Sequence, residues 1–514
     1  MNCSNPINPQ YPNENLIFVG NQAVYIQPGD PDHSISATTT QLFGVESTDV
    51  WPPPMVFKYF VFAKKKSLVP KANVSEYSIR LRKKKSFWHT KKKQTNHIFS
   101  SFLVLTEENG FVYDYAPIDT IANDSGSFIM QCFDPSAVPI ITTLANEFGV
   151  IDRWYADVPG PTDPNRLYSW MATSSGMGYN ADDRLTAGYF FVFPFFSVHL
   201  NFFFFCLSFI SITFFFFFTT KKWPKMLDES VTFTNQTWRV YFEQSPSPIY
   251  VEYTRHHPTR FKQMADFYVD VSRGDLPIFT KKKKMTICNS WLDPAYDDLH
   301  PDHDVTNGEK LMKRVYESLR QSPIWEDTLL LIFYDEHGGF FDHVPPPWAV
   351  SPDGRAATDV SPPFNFTRYG IRIPAIVVSP YVKKGTVANR PDPSATSQYS
   401  HSSLPHTIRA QFAPDYPPFT NRDDVALTFE DMLNLDYPRG DCPTQLPDVP
   451  PGYERHSSSL PRQGLQPVND FQLNLAYSIA PLCHATSQVV KGLSQNQDTL
   501  GRFAMECADY FIHN

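Results

Sequence analysis

Cysteine is scarce in this chain, and its spacing excludes several kinds of site. The 514 residues include seven cysteines, and no two of them form a Cys-x-x-Cys pair. Zinc ribbons and dithiol redox motifs are therefore excluded, and so few scattered cysteines cannot hold a chain of this length together. The first thirty residues also lack the basic and then apolar pattern of a signal peptide. Localisation stays open, and both a peripheral membrane location and secretion are compatible with the sequence.

Acidic residues are almost missing from the stretch 56–99, which contains one acid, Glu76, and 13 lysines and arginines. The formal net charge of the whole chain is −8, so the remaining residues are more acidic than this total suggests. Because an acidic body repels phosphate backbones, we expect no nucleic acid partner. The basic stretch is more simply a solvated surface or tail. The sequence does not predict an oligomeric state.

Two segments, 56–109 and 189–222, differ in composition from the rest of the chain. The second has 15 phenylalanines within 29 consecutive residues. It is long enough to cross a bilayer as a helix, but Pro194 and His199 interrupt it. Since runs of Phe and Lys are what T-rich and A-rich tracts encode, we interpret both segments as insertions from a retained intron or a gene-model fault. A membrane anchor is the alternative for the Phe-rich segment.

Helix and strand patterns alternate in the rest of the chain. Residues 304–321 place apolar side chains on one helical face, with Asp304 available as the N-cap. The uninterrupted apolar run 328–334 has the length of a buried parallel strand, and a second run ends at Val378. Another amphipathic helix, 141–148, leads into a further short apolar run. This alternation indicates an α/β fold with a largely parallel β-sheet flanked by helices.

The strongest candidate site follows the apolar run that ends at residue 334. It contains the adjacent acids Asp335 and Glu336, then His337 and two glycines. Neighbouring carboxylates repel each other unless a cation or a proton lies between them, and their oxygens favour hard divalent ions. The glycines permit a tight turn and a close approach of another backbone. We favour a divalent metal site at the two acids, with His337 near a substrate phosphate, over the alternative of a solvated charged turn.

Three further histidines are candidates for the site. His300 and His303 precede the helix that begins near Asp304, and His33 lies in a polar turn near the start of the chain. Asp304 is more simply a helix cap than a ligand. Ordinary loop histidines are the alternative for His300 and His303, and His33 alone carries little information.

A loop rich in proline and glycine, 158–178, contains the remaining candidates. Arg166 can pair with a phosphate, and the hydroxyls of Thr173 and Ser174 lie shortly before Gly176. Most clusters of serine and threonine are caps or turns, so this loop alone does not indicate a nucleophile.

Taken together, these segments resemble the phosphoesterase family that includes non-specific, phosphatidylcholine-hydrolysing phospholipase C and related acid phosphatases. The resemblance is carried by the motifs FVGNQAVYIQPGDPDHS, VPGPTDPNRLY, YDEHGGFFDHVP and FNFTRYGIRIPAIVVSPYVKKGTV. It implies an α/β core like that of alkaline phosphatase. It also implies a single catalytic domain made of residues 1–55 and 110–445, which the two insertions interrupt. The region 446–514 has no assigned role.

The resemblance implies cleavage of phosphate esters by a hydroxyl nucleophile beside a bound divalent metal ion. By motif, Thr173 resembles the nucleophile, and Asp335 and Glu336 resemble the metal-binding pair. The histidines that hold the phosphoryl oxygens are matched by His33 and His300. A metal or a base is needed because a neutral threonine hydroxyl is a poor nucleophile. We expect the substrate to be bound by Arg166, Ser174, His303 and His337.

Two features depart from the family pattern. The family has Asn or His after its Thr-Ser pair, where this chain has Ser175. The family also begins with a segment like Glu-Asn-Arg-Ser-Phe-Asp-His, which helps to bind the metal, and this chain starts downstream of it.

From the resemblance we expect a phospholipase C that cleaves phospholipid head groups at a membrane surface. The alternatives are an acid phosphatase acting on phosphomonoesters and a truncated remnant that binds lipid or phosphate without catalysis.

Overall fold

The computed structural model describes a mixed α/β protein. Both unusual segments, 56–109 and 189–222, lie outside the described residues, as does most of the C-terminal region. Their interpretation as insertions therefore stays a prediction. The described residues are 4–6, 16–21, 23, 31–44, 110–115, 128–180, 223–230, 237–243, 248, 251–281, 285–288, 290–294, 299–300, 303–389, 396–451, 476–477, 480–493, 500, 503 and 507.

Short strands form five sheets in this part of the chain. The strands are β1 (Ser4–Pro6), β2 (Leu16–Phe18), β3 (Gly149–Ile151), β4 (Trp154–Tyr155), β5 (Arg239–Phe242), β6 (Phe261–Gln263), β7 (Ile278–Lys281), β8 (Met285–Cys288), β9 (Ser290–Asp293), β10 (Leu330–Phe333), β11 (Arg372–Ile373), β12 (Ala375–Val378), β13 (Thr386–Ala388) and β14 (Tyr399–Ser400). The largest sheet has the order β10-β12-β3-β13.

Helices connect these strands and pack against some of them. They are α1 (Ile35–Phe43), α2 (Phe111–Tyr115), α3 (Pro139–Glu147), α4 (Thr162–Met171), α5 (Trp223–Ser230), α6 (Glu252–Arg255), α7 (Met264–Arg273), α8 (Val305–Gln321), α9 (Ser403–Phe412), α10 (Asn421–Val425) and α11 (Ser487–Leu493). Among the described helices, none has both the length and the apolar character needed to cross a bilayer.

The direction of the strands corrects one expectation from the sequence. The predicted parallel strand 328–334 forms β10, which pairs antiparallel with β12, and β12 pairs antiparallel with β3. Only the pairing of β3 with β13 is parallel in this four-stranded sheet. A fully parallel arrangement occurs instead in the three-stranded sheet β6-β5-β9. An apolar run reports the tendency of a strand to be buried, whereas the direction of its partner depends on distant chain connections.

The predicted helices are confirmed at almost their expected bounds. Helix α8 begins after Asp304, whose side chain accepts the Thr306 N–H as an N-cap. The amphipathic segment predicted at 141–148 forms α3, which leads into β3. Both helices contribute to one large core beside the four-stranded sheet, in which Phe148, Tyr316 and Val377 are buried.

A buried acid joins these two helices. Helix α3 has no capping side chain of its own, because its N-cap residue is Val138. The carboxylate of Glu309 in α8 accepts the N–H groups of Ile140 at 2.7 Å and Ile141 at 3.1 Å. Burial raises the pKa of Glu309, and these two hydrogen bonds oppose that change. The carboxylate thus supplies, from a distant part of the chain, the cap that the sequence near α3 lacks.

Candidate active site

The loop after β10 turns sharply at its two glycines, as the sequence predicts. Gly338 and Gly339 have φ values of 63° and 76°, a region that favours glycine. A Cβ atom on Gly339 would lie 2.5 Å from Cβ of Pro31. The glycines therefore allow the loop 335–339 to lie directly against the turn that contains His33.

Glu336 is the most deeply enclosed acid of this loop. Its side chain is 6% exposed, and Oε2 accepts the Gly338 N–H at 2.5 Å. His337 Nδ1 lies 3.5 Å from Oε2, and His33 Nε2 lies 3.9 Å from Oε1. Burial alone would raise the pKa of Glu336, but His33, His337 and the Gly338 N–H together lower it to about 2. Glu336 is therefore ionised at neutral pH.

His33 and His337 each make a second hydrogen bond, through the ring nitrogen that does not face Glu336, and these bonds fix the orientation of both rings. His33 Nδ1 donates to the carbonyl oxygen of Pro31 at 2.7 Å, so Nε2 is the atom that faces Glu336. His337 Nε2 lies 2.9 Å from Gln41 Oε1 in α1. The amide nitrogen of Gln41 donates to Asp114 Oδ2 at 2.9 Å, which leaves Oε1 as the acceptor for His337. The turn before α1 and α1 itself thus orient the two rings toward one carboxylate.

Arg166 binds the other acid of the pair. Its Nε donates to Asp335 Oδ2 at 2.8 Å, and its Nη1 donates to Asp293 Oδ1 at 3.3 Å. Burial disfavours the charged guanidinium, but Asp335 and Asp293 outweigh this effect and raise the pKa of Arg166. Asp293 is the last residue of β9, so Arg166 links the parallel sheet β6-β5-β9 to the loop 335–339, which we call the acid-pair loop. The sequence does not reveal Asp293, because a lone acid at a strand end has no distinctive spacing.

His401 is a further site residue that the sequence does not reveal. Its ring is fully buried, and Nε2 donates to the carbonyl oxygen of Asp335 at 2.6 Å. Nδ1 accepts the indole N–H of Trp154 at 3.5 Å. Burial lowers the pKa of His401, so the ring is neutral at pH 7. It holds the backbone at the first acid of the pair.

A buried ion pair lies at the start of the helix that follows His401. Asp157 and Arg422 are both fully buried, and Arg422 Nη1 donates to Asp157 Oδ1 at 2.7 Å. The other oxygen, Oδ2, accepts the backbone N–H and the hydroxyl of Ser402. This arrangement ties the chain before α4 to the beginnings of α9 and α10.

Thr173 lies two residues beyond the end of α4, the helix that carries Arg166. Its side chain is 3% exposed, and Oγ1 donates to Asp353 Oδ2 at 2.9 Å and accepts the Ser175 N–H at 2.9 Å. The neighbouring Ser174 hydroxyl donates to the carbonyl oxygen of Met177. Within the described part of the chain, the hydrogen bonds of the Thr173 hydroxyl go to these partners and not to the acid-pair loop.

His300 and His303 lie beside each other before α8. The His303 N–H donates to the His300 carbonyl oxygen at 3.0 Å, and the ring centroids are 6.2 Å apart. His303 is buried. The structure thus brings His33, His337 and Arg166 to the acid pair, pairs Thr173 with Asp353, and pairs the two remaining histidines with each other. The catalytic and substrate-binding roles stay predictions.

The acid pair offers a hard metal ion the right kind of donor. Among the described residues, no group of three or more His, Cys, Asp or Glu side chains has an arrangement suited to a metal ion. Asp335 and Glu336 supply two carboxylates, and ions such as Mg²⁺ are often held by one or two carboxylates together with water and substrate phosphates. The residues present therefore fit such an ion in donor type, as two of its ligands.

Comparison with known proteins identifies the family of the chain. The model of the Phosphoesterase family matches residues 58–413, more than half of the sequence. The chain belongs to this family. It is 39% identical to non-specific phospholipase C6 of Arabidopsis thaliana over 326 residues, which is 63% of this chain and 56% of that protein. It is 32% identical to non-specific phospholipase C1 of the same plant over 453 residues, 87% of this chain and 67% of that protein.

A bacterial phospholipase C is also similar. The non-hemolytic phospholipase C of Burkholderia pseudomallei is 29% identical over 402 residues, 66% of this chain and 50% of that protein. The chain spans between half and about two thirds of the length of these three relatives. The resemblance inferred from the sequence motifs is confirmed at the level of the family.

Proposed function

We propose that this phosphoesterase is a hydrolase of the phospholipase C type, which cleaves phospholipids between the glycerol and the phosphate. The names of its plant and bacterial relatives support this activity over that of a phosphatase acting on monoesters. The structural observation that carries the proposal is the ionised Glu336, enclosed by His33 and His337 beside Asp335. Buried charge of this kind, placed at the end of a strand, is typical of sites that handle charged substrates. The substrate is presented by a membrane surface.

The nucleophile in this proposal is the hydroxyl of Thr173. Its oxygen attacks phosphorus, the bond to the glyceryl oxygen breaks, and diacylglycerol leaves. Water then attacks the phosphothreonine, which releases the phosphorylated head group and restores the hydroxyl. His33 and His300 hold the phosphoryl oxygens in both steps. The head group and the phosphate are bound by Arg166, Ser174, His303 and His337.

Asp335 and Glu336 would hold a divalent ion in this site. When bound, the ion supplies positive charge that stabilises the developing charge on the phosphoryl oxygens. The core that we propose around it is like that of alkaline phosphatase. The mixed α/β architecture, with the acid pair directly after a strand of the four-stranded sheet, supports this assignment.

The test compares two substrates and one variant. The full 514-residue chain is assayed with phosphatidylcholine vesicles and with p-nitrophenyl phosphate, with a divalent ion supplied. We expect release of diacylglycerol, much slower release of nitrophenol, and loss of both with Thr173→Ala. Preference for the monoester would support the phosphatase alternative. Binding of vesicles without any turnover would support the non-catalytic alternative, and an active Thr173→Ala variant would exclude Thr173 as the nucleophile.

A further inference from the structure

The hydroxyl of Thr173 points its hydrogen at a carboxylate that no motif suggested. Asp353 Oδ2 lies 2.9 Å from Thr173 Oγ1, although the two residues are 180 positions apart in the chain. An ionised carboxylate can only accept a hydrogen bond, so the proton of this contact belongs to the threonine. The Ser175 N–H donates to the same Oγ1 at 2.9 Å, so this oxygen donates one hydrogen bond and accepts another. The direction of the O–H bond is thereby fixed.

Asp353 is held in this position by contacts between two loops. Its second oxygen, Oδ1, accepts the N–H of Arg355 at 3.1 Å. Arg355 Nη1 donates to the carbonyl oxygen of Ser175 at 3.3 Å. Asp359, farther along the same loop, accepts the N–H of Gly178 at 3.0 Å. The loop 351–359 therefore contacts the segment 173–178 at three places, and the position of the carboxylate does not depend on a single flexible contact.

We propose that Asp353 is a catalytic residue, the base that takes the proton from Thr173 as the hydroxyl attacks phosphorus. This inference rests on the proposed function, because it matters only if Thr173 is the nucleophile. A threonine hydroxyl needs a base within hydrogen-bond distance to become reactive at neutral pH. Among the described residues, Asp353 is the acid that accepts a hydrogen bond from this hydroxyl.

The proton balance of the reaction agrees with this role. In the first step the proton of Oγ1 passes to Asp353, the bond from Oγ1 to phosphorus forms, and the bond from phosphorus to the glyceryl oxygen breaks. The leaving oxygen takes a proton from solvent. In the second step water adds to phosphorus and releases one proton to solvent, while Asp353 returns its proton to Oγ1 as that bond breaks. The net reaction consumes one water molecule and needs no other reagent.

The decisive variant is Asp353→Asn, because an amide oxygen can still accept the hydrogen bond but cannot take the proton. The full chain is mixed with phosphatidylcholine vesicles and a divalent ion, quenched in acid at short times, and digested. Mass spectrometry then measures phosphocholine bound to Thr173. We expect Asp353→Asn to slow both this adduct and kcat by roughly 100-fold or more, with KM within about twofold of the wild-type value. Asp353→Glu should recover part of the rate.

Asp359→Asn is the matched control. It lies on the same loop and contacts the same segment through the Gly178 N–H, which an amide oxygen can also accept. Its rates should stay near those of the wild type, so a larger loss with Asp353→Asn cannot come from disturbance of the loop. Thermal unfolding of both variants checks that they fold.

The outcomes separate the two proposals. A fully active Asp353→Asn variant, together with an inactive Thr173→Ala variant, would overturn the role of Asp353 and leave the nucleophile in place. If Asp353→Asn keeps its activity and only Asp353→Ala loses it, Asp353 positions the hydroxyl without taking its proton, and the proposal is wrong. If the wild-type chain turns over without any adduct at Thr173, Thr173 is not the nucleophile, and the role of Asp353 fails with it. If the wild-type chain does not cleave phosphatidylcholine at all, the proposed function itself fails.

Discussion

Arg166 and Asp335 are 169 residues apart in the chain, and the guanidinium Nε of one donates to the carboxylate of the other at 2.8 Å. The same guanidinium also pairs with Asp293 at 3.3 Å. One cation therefore neutralises two acids that come from the ends of two different strands. Helix α4 carries this cation near its middle, and Thr173 follows two residues beyond its C-terminal end, so a single helix connects the acid pair to the candidate nucleophile.

Replacing the cation should destabilise the fold. Arg166→Gln leaves Asp293 and Asp335 without their shared partner. Because Arg166 and Asp335 are partly buried, the loss should lie between that of a surface pair and that of a fully buried pair, about 1–3 kcal/mol. We expect a decrease of about this size in the free energy of unfolding, measured by urea denaturation. The double variant Arg166→Gln, Asp293→Asn also removes the charge of the Asp293 carboxylate, so part of the lost free energy of unfolding should be recovered. A single variant as stable as the wild type would show that the pair contributes nothing.

The ion pair between Asp157 and Arg422 should contribute more than any pair at the surface. Both side chains are fully buried, so Arg422→Met leaves an uncompensated carboxylate in the core. We expect a loss of about 3–5 kcal/mol in the free energy of unfolding. Lys225→Gln is the control, since Lys225 and Glu229 form a more exposed pair on α5 at 3.5 Å. That change should cost less than about 0.5 kcal/mol. Equal losses for the two variants would contradict the importance of burial.

The sequence predicts features that depend on neighbouring residues. The cap of α8 at Asp304 and the sharp turn at Gly338 and Gly339 follow from local backbone chemistry, and the structure confirms them. Sequence motifs also led to the acid pair and to His33. These features need no knowledge of which distant segments meet.

The partners of the site residues depend on long-range packing and could not be predicted in the same way. Asp293, Asp353 and His401 are single residues without a characteristic spacing, and they become recognisable only once the loops are brought together. The predicted parallel pairing of β10 was wrong for a related reason. Its apolar residues indicate burial, but its antiparallel pairing with β12 depends on a connection of about forty residues.

The stability of the metal-free protein should depend on pH through Glu336. Its pKa is lowered from the ordinary 4.5 to about 2 in the folded state, so the ionised carboxylate stabilises the fold above about pH 4.5, and this contribution is lost as the pH falls toward 2. A change of this size corresponds to at most about 3 kcal/mol. Urea denaturation between pH 7 and pH 3, with a chelator present, should show the wild type losing stability faster than Glu336→Gln. A difference between the two proteins that stays constant over this range would contradict the assignment.

Removal of divalent ions should abolish turnover if Asp335 and Glu336 hold a metal. We expect dialysis against a chelator to inactivate the chain, and a titration with Mg²⁺, Ca²⁺ or Zn²⁺ to restore activity with one of these ions. Asp335→Asn keeps the shape of the side chain but removes a charged ligand, so the ion concentration needed for half-maximal activity should rise by roughly 10- to 100-fold. Calorimetric titration of the same ion measures binding independently of turnover.

The control is Asp342→Asn. Asp342 is also an acid paired with an arginine, Arg372, but it lies outside the acid pair, so this change should leave the ion requirement unchanged. Full activity of the dialysed wild type would exclude a metal that exchanges with solvent, and an unchanged ion requirement for Asp335→Asn would exclude Asp335 as its ligand.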